Sequence, residues 1–467
     1  MVALLLGVSA RSGRSMGLEE WTVGGRHFGF ILVFLLLAGE IYTTFTFLGA
    51  SGSAYGLGAP AYYILCYGTL AYIIGYFVLP PVWAYAKQHG LVSQPDFFAR
   101  KYDSPALGVL VTLVDIVALV PYLVLQLTGL GIIVTAAGAG VIDEDVAIWI
   151  GAAVVTVYVI VSGIRGSAWT AVVKDVLILA VIVFLGVYLP LHLHGGIGAM
   201  FGAIAEARPG FLTFPAHGQS VWWFVSTVLL TALGFFSWPQ AIAACYTARE
   251  PGTFRKNAIV LPLYQLILLF AYFIGFAAVL HVPGLTGAQT NLALFKLVVQ
   301  EMPPWAVGII GAAGVFTALV PGSVLVMTTA TLIARNLYAV ARPWAEAGEI
   351  VTVAKVLVPV VMLVAVHFAL AHNATIVELL LVGYSFVTQL FPALVASLLP
   401  RLRATRSGAF AGILVGVTTA ALLTFTHTTM ATLFPFLPAG VNDLNVGIIA
   451  LALNVAVFAG VSAVSRR

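Results

Sequence analysis

Charge is what this chain has least of: Asp, Glu, Lys and Arg make up only 8% of its 467 residues, while 61% are hydrophobic. Soluble domains carry roughly 25% charged residues, so too little polar surface exists here to cover a core in water. Cysteine is nearly absent, and the two present, Cys66 and Cys245, both fall within apolar runs. They make neither a disulfide framework nor a metal site and read as small buried hydrophobes. A phosphate-cradling GxxxxGK[ST] loop is also missing, which argues against transport driven by nucleotide hydrolysis in this chain. No stretch is long and polar enough for a soluble domain; the longest interval between apolar runs is about 193–219. The nine histidines lie in loops or near the ends of apolar runs, except for His367 and His427, so a metal centre is not expected. The net charge of +4 comes from scattered bases and does not indicate a nucleic-acid surface.

What is present in quantity is apolar sequence, with a mean hydropathy of +1.07. Runs of membrane-spanning length fall near 28–56, 59–85, 106–139, 146–164, 169–192, 220–247, 256–281, 304–338, 350–371, 375–399, 407–430 and 445–464. Twelve continuous runs indicate an all-α polytopic membrane protein, since a β-barrel would show alternating segments of about ten residues. Residues 1–10, MVALLLGVSA, read as the tail of a further helix. A signal peptide is the rival reading, but neither a basic leading region nor a small-residue cleavage site flanks the run.

The basic residues test this division. Eighteen of the 21 Lys and Arg fall in alternate loops on one side: Arg11, Arg14, Arg26, Lys87, Arg100, Lys101, Arg165, Arg249, Arg255, Lys256, Arg335, Arg342, Lys355, Arg401, Arg403, Arg406, Arg466 and Arg467. Arg208 and Lys296 fall on the other side, and Lys174 lies near the start of the fifth run. The positive-inside rule makes the first group cytoplasmic and with it both ends of the twelve-span unit. A miscounted interior helix would destroy the alternation.

Charges inside spans are the first candidates for chemistry, because each costs a few kcal/mol or more at the bilayer centre. Lys174 and Asp175 sit close to the cytoplasmic side and read as a snorkelling, partly paired couple. Asp115 is either a structural hydrogen-bond partner or part of a polar pathway. Glu378 lies near the external end of its helix and reads as a solvated rim residue. Glu40 stands apart, about a dozen residues deep in LLAGEIYTTFTFLGASGSAYGLG (36–58), beside Gly39 and followed by Tyr42, Thr43, Thr44 and Thr46. β-Branched and hydroxyl residues weaken a helix there, and a lipid-facing helix would not carry them. A helix broken at membrane depth beside a cavity would.

The sixth run supplies a second break. Gly234 and Pro239 bracket Phe235, Phe236, Ser237 and Trp238, with Gln240 following. Proline removes a backbone donor and frees carbonyls near Phe235 and Phe236. The first and sixth runs correspond across two five-span halves, and matched interruptions are the best sequence pointer to a transporter binding site. Tyr122 and Gln126 of the third run, with Tyr384, Ser385, Thr388 and Gln389 of the tenth, could orient a small carboxylate or hydroxyl by hydrogen bonds.

Several motifs resemble the sodium:solute symporter family. LEEWTVGGRHFG (18–29) is similar to that family's approach to its first core helix, GASGSAYGLGAPAYY (49–63) to its glycine-rich segment, and TLIARNLY (331–338) to the end of its eighth core helix. Glu40-Ile41-Tyr42-Thr43, TALVPGS (317–323), Trp238-Pro239 and RKNAIVLPLY (255–264) resemble the bacterial monocarboxylate permease branch, which takes up lactate, pyruvate and related acids. The resemblance implies a leucine-transporter-type inverted repeat of five plus five helices, usually preceded by one more helix. It also implies a sodium site between the first and eighth core helices, with carbonyls of Gly39 and Tyr42, Thr317 and a hydroxyl pair as ligands. Here that pair falls on Val320 and Pro321, which carry no hydroxyl, and Ser323 is a turn from the expected face.

Together these readings give three parts: a truncated-helix remnant and cytoplasmic lead-in over 1–27, a transporter core of ten spans over 28–400, and two peripheral spans over 401–467. The expected function is secondary active, cation-coupled symport of a small organic solute, most simply a monocarboxylate, by alternating access. The alternatives are symport of an amino acid, acetate or pantothenate, and less readily a channel; no nucleophile–base pair points to an enzyme. Expected solute contacts are Tyr42, Thr43, Thr44, Tyr122, Gln126, Phe236, Trp238, Gln240 and Gln389. Expected ion-coupling residues are Gly39, Glu40, Tyr42, Thr317 and Ser323, the coupling ion being sodium or a proton, with no other cofactor. Glu40 could replace the missing ligand oxygen or carry the proton itself. The partners are the solute and the lipid bilayer, and the expected location is the bacterial inner membrane with the C-terminus in the cytoplasm.

Overall fold

The computed structural model describes Glu19, residues 23–39, 42–371, 374–426, 428–433 and 435–465, and at 162–169 and 439 the backbone alone. Helices account for the fold; among the described residues the only β pairing is an isolated bridge between Phe28 and Ala248. Among the described residues ten helices are long and apolar enough to cross a membrane: Ala59–Gln88, Pro105–Ala137, Glu144–Val161, Thr170–His194, Gly252–His281, Pro304–Ala341, Ala347–Ala371, Ile376–Leu398, Arg406–Phe425 and Val446–Val464. The sixth span is a bent pair, Val221–Ser237 and Pro239–Tyr246, at 44°. The first consists of two short pieces, Phe30–Gly39 and Ala50–Leu57. The fourth and fifth spans lie within one helical run, Glu144–His194. Large apolar side chains such as Phe77 and Trp305 remain exposed on the outside, where lipid would cover them.

Local chemistry explains both breaks. In the first span the Thr43 N–H donates to Thr46 Oγ1 at 3.0 Å, and the Phe45 N–H donates to Thr43 Oγ1 at 3.1 Å. Threonine side chains thus take donors that a regular helix would use. The chain then widens into a π-helical turn, Phe45–Gly49, before the second piece. Glu40 lies outside the described residues. In the sixth span a 3-10 turn, Phe235–Ser237, leads to an extended Trp238 with ψ 131°, and Pro239 opens the next helix. Proline at the first helical position loses no bond that the helix would make. It therefore ends a break rather than kinking a continuous helix, and the freed Ser237 carbonyl accepts from Gln94 Nε2 at 2.9 Å.

Close approach holds the halves together. A Cβ at Gly275 would fall 2.1 Å from the Ser51 carbonyl, so the seventh span lies almost backbone to backbone against the second piece of the first. The eleventh and twelfth spans pack chiefly on each other. Gly408, Gly412 and Gly416, spaced four apart, face Ser462, Phe458 and Asn454, the small-residue arrangement that lets membrane helices touch. Glu378 is the third residue of the tenth span and closes a capping box with Thr375, so its carboxylate belongs to the helix start.

Candidate functional site

The two breaks face different surroundings. Beside the sixth-span break lies a cavity lined by Leu37, Phe45, Tyr67, Tyr122, Phe235, Trp238, Gln240, Ala241, Leu380 and Tyr384. It holds about 410 Å³ of space between atoms, any part open to solvent included. Its wall is an aromatic chain: Tyr122–Trp238 at 5.2 Å between centroids, Trp238–Tyr384 at 5.4 Å and Tyr67–Tyr384 at 5.7 Å. Among the described residues no charged side chain lines it. Its polar elements are three phenols, an indole, Gln240, and the N-terminus of the half-helix Pro239–Tyr246, where the first N–H groups have no acceptor within the helix.

Of the residues expected from sequence to meet a solute, Tyr122, Trp238 and Gln240 line this cavity. Phe236 packs against the second span, its ring edge within 2.5 Å of where a Cβ at Gly75 would stand and 6.2 Å from the Tyr72 ring centroid. Tyr42 donates its hydroxyl to the Tyr264 carbonyl at 3.2 Å. Thr43 serves the break, and Thr44 Oγ1 donates to Gln126 Oε1 at 2.6 Å, joining the first and third spans. Gln389 Nε2 donates to the Ser385 and Gly447 carbonyls, and Asn454 donates to Gln389, so this side chain ties the tenth span to the twelfth. Tyr67, Phe235 and Tyr384 complete the wall. Tyr67 carried no sequence signal of its own; the sequence reading chose Phe236 as the solute contact, whereas the 3-10 turn directs Phe235 to the cavity.

At the first-span break the two carbonyls that the family resemblance assigns to sodium are engaged by a side chain. Lys174 Nζ donates to the Gly39 carbonyl at 3.1 Å and to the Tyr42 carbonyl at 3.0 Å. It also pairs with Asp175 Oδ1 at 3.0 Å, and the lysine side chain is completely buried. The break is what frees these acceptors. Thr43 N–H, which would bond Gly39 in a regular helix, goes to Thr46 Oγ1; Thr46 N–H, which would bond Tyr42, goes to the Thr43 carbonyl. The surface couple expected from sequence is thus a buried link between the fifth and first spans. Asp115 is buried too, and neither of its carboxylate oxygens has a hydrogen-bond partner among the described residues.

Across the cleft the eighth span presents hydrocarbon. Leu36, Gly39, Ala171, Ala244, Val320, Pro321 and Val324 line a pocket there. Thr317 Oγ1 donates to the Gly314 carbonyl at 2.5 Å and Ser323 Oγ to the Val320 carbonyl at 2.6 Å. Hard cations need several oxygen ligands, and among the described residues the oxygens here are two carbonyls already held by an ammonium and the Asp175 carboxylate that pairs with it. A second cation about 4 Å from Nζ would be repelled by about 4 kcal/mol at an effective dielectric of 20. The described residues, with Lys174 among them, do not fit a sodium ion at this place.

With this geometry in view, known proteins can be set beside the chain. The model of the sodium:solute symporter family matches residues 21–416. The Bacillus subtilis (strain 168) protein named Uncharacterized symporter YhjB is 58% identical over 467 residues, covering 100% of this chain and 96% of that protein. A Monocarboxylate transport permease protein of Rhizobium johnstonii is 29% identical over 387 residues, covering 82% of this chain and 77% of the relative. Among solved structures, a substrate-bound, outward-open Na+-coupled sialic acid symporter superposes with a TM-score of 0.81 at 17% identity, covering 99% of this chain and 95% of that one. Mhp1, a nucleobase-cation-symport-1 family transporter, follows at 0.58 and 13% identity, with 95% of each chain covered. The fold is of the leucine-transporter type, as the sequence led one to expect.

Proposed function

Because this chain belongs to the sodium:solute symporter family, and is thereby a multi-pass, cation-coupled symporter rather than an enzyme, we propose that its solute is a small monocarboxylate such as lactate or pyruvate. The aromatic cavity at the sixth-span break carries this reading. A carboxylate seated there would meet the N-terminus of Pro239–Tyr246, whose partial positive charge stabilises anions without a buried arginine. Tyr67, Tyr122 and Tyr384 offer hydroxyl donors, while Trp238 and Phe235 cover the short apolar end. The named activity of the Rhizobium relative supports the same solute class.

Transport runs by alternating access, with the solute held between the broken first and sixth spans and the packed spans moving around it. Tyr122, Trp238 and Gln240 are its contacts, joined by Tyr67, Phe235 and Tyr384. Tyr42, Thr43, Thr44, Gln126, Phe236 and Gln389 act from behind by fixing the break and the helices beside it. The three-part division of the chain keeps the two C-terminal spans outside the moving core. Alternating Lys and Arg loops support an inner-membrane location with a cytoplasmic C-terminus.

Uptake of labelled lactate and pyruvate into proteoliposomes, under imposed sodium and proton gradients in turn, tests the reading. Accumulation against a gradient, with counterflow from preloaded vesicles, is expected. Uptake of neither acid under any cation gradient would overturn the solute assignment, and flux without counterflow would point to a channel.

A further inference from the structure

We propose that Lys174 is the resident cation of the cleft between the first and eighth spans, so that this symporter works with no sodium ion at that place. The proposal rests on the cation-coupled reading but not on the choice of solute. An ammonium has three N–H donors and no acceptor; among the described residues it donates to the Gly39 and Tyr42 carbonyls, at 3.1 and 3.0 Å, and its charge pairs with Asp175 Oδ1 at 3.0 Å. The first two are the backbone oxygens that a sodium ion would need, freed by the break in the first span.

The described residues of the neighbouring elements agree with this occupant. The fifth span contributes the counter-charge, Asp175, one residue away. The first contributes Tyr42, whose phenol is turned toward the seventh, where Tyr264 accepts from it. The sixth contributes Ala244, and the eighth offers Val320, Pro321 and Val324, apolar where ligand hydroxyls would stand. Loss of the eighth-span hydroxyls and presence of a buried lysine are independent features of the sequence, and they meet at one point in space. A lysine that served only to reach water would not have its side chain fully buried against backbone carbonyls.

The test needs no solute. Purified protein and its Lys174→Ala variant are compared for saturable binding of radioactive sodium and for thermal stabilisation by sodium against choline. Removing the ammonium leaves two carbonyls and the Asp175 carboxylate facing one another, so the variant is expected to bind one more sodium ion per chain than the parent and to be stabilised selectively by it. Equal numbers of sodium sites in the two proteins would overturn the proposal. Should the variant fail to fold, the parent decides alone. Acylation of Lys174 by a membrane-permeant amine reagent, followed by mass spectrometry, is expected to stay slow and unchanged across a sodium titration. A rate that climbs with sodium would mean that the ion displaces the ammonium, and would overturn the proposal. Neither readout changes if lactate and pyruvate prove to be the wrong solutes.

Discussion

The two interrupted spans correspond across the repeat, yet their breaks have opposite surroundings. In the sixth span the break opens on a cavity, and the freed Ser237 carbonyl is taken by Gln94. In the first span the break opens on a filled position, its carbonyls at Gly39 and Tyr42 held by Lys174. Breaking a helix in lipid releases polar groups that must find partners. One break leaves a half-helix N-terminus beside open space; the other is closed by a side chain from a neighbouring helix. A broken helix therefore identifies a place where something must bind, without saying whether that is a diffusible ligand or part of the chain.

Substitutions can break this contrast. The largest effect is expected at the filled position: Lys174→Met leaves the Asp175 carboxylate buried and unpaired, a loss of about 3–5 kcal/mol. Thermal unfolding in sodium-free buffer would register it, and the double variant Lys174→Met/Asp175→Leu is expected to recover most of the deficit. At the open position Trp238→Ala removes the ring shared by Tyr122 and Tyr384. It is expected to cut uptake at least about tenfold, ~1.4 kcal/mol, while the unfolding temperature moves less than in Lys174→Met. Tyr384→Phe keeps the ring and removes one hydroxyl, worth ~0.5–1.5 kcal/mol; apparent solute affinity should fall a few-fold, with the maximal rate retained. Smallest of all is Val320→Ser, which restores a hydroxyl on the eighth span. With Lys174 in place, sodium binding and uptake should both stay at the parent's values, and a new sodium response would erase the distinction between the breaks.

Much of the architecture was legible because the bilayer imposes it. Apolar length and the alternation of basic loops located twelve spans, and the glycine, threonine and proline content of two of them located both breaks. The tenth span's Thr375–Glu378 pair was a readable helix-start signal, although depth alone suggested a rim residue. Direction was harder to read. Phe235 and Phe236 are adjacent and equally aromatic, and only a 3-10 turn assigns one to the cavity and the other to Gly75. Gln389 has the chemistry of a solute contact, but its partners are Gly447 and Asn454, 58 and 65 residues further along the chain, on a helix that no local pattern connects to it. Lys174 was misread for a related reason. Its distance from the span's end suggested a snorkelling side chain, whereas the carbonyls it meets lie more than a hundred residues earlier. The missing hydroxyls at Val320 and Pro321 were the available clue, and joining them to a lysine on another span takes three-dimensional structure.

The stem of Lys174 has a consequence for electrical measurements. A sodium ion that binds with a solute leaves with it and adds its charge to the current of each cycle. A charge on a covalent arm that keeps its proton returns with the protein at every turnover, so it contributes nothing to the net charge delivered per solute molecule. A sodium ion that accompanied the solute would then cross by some route other than the cradle of Gly39 and Tyr42, whereas a proton released and regained by Lys174 would still be counted in the current.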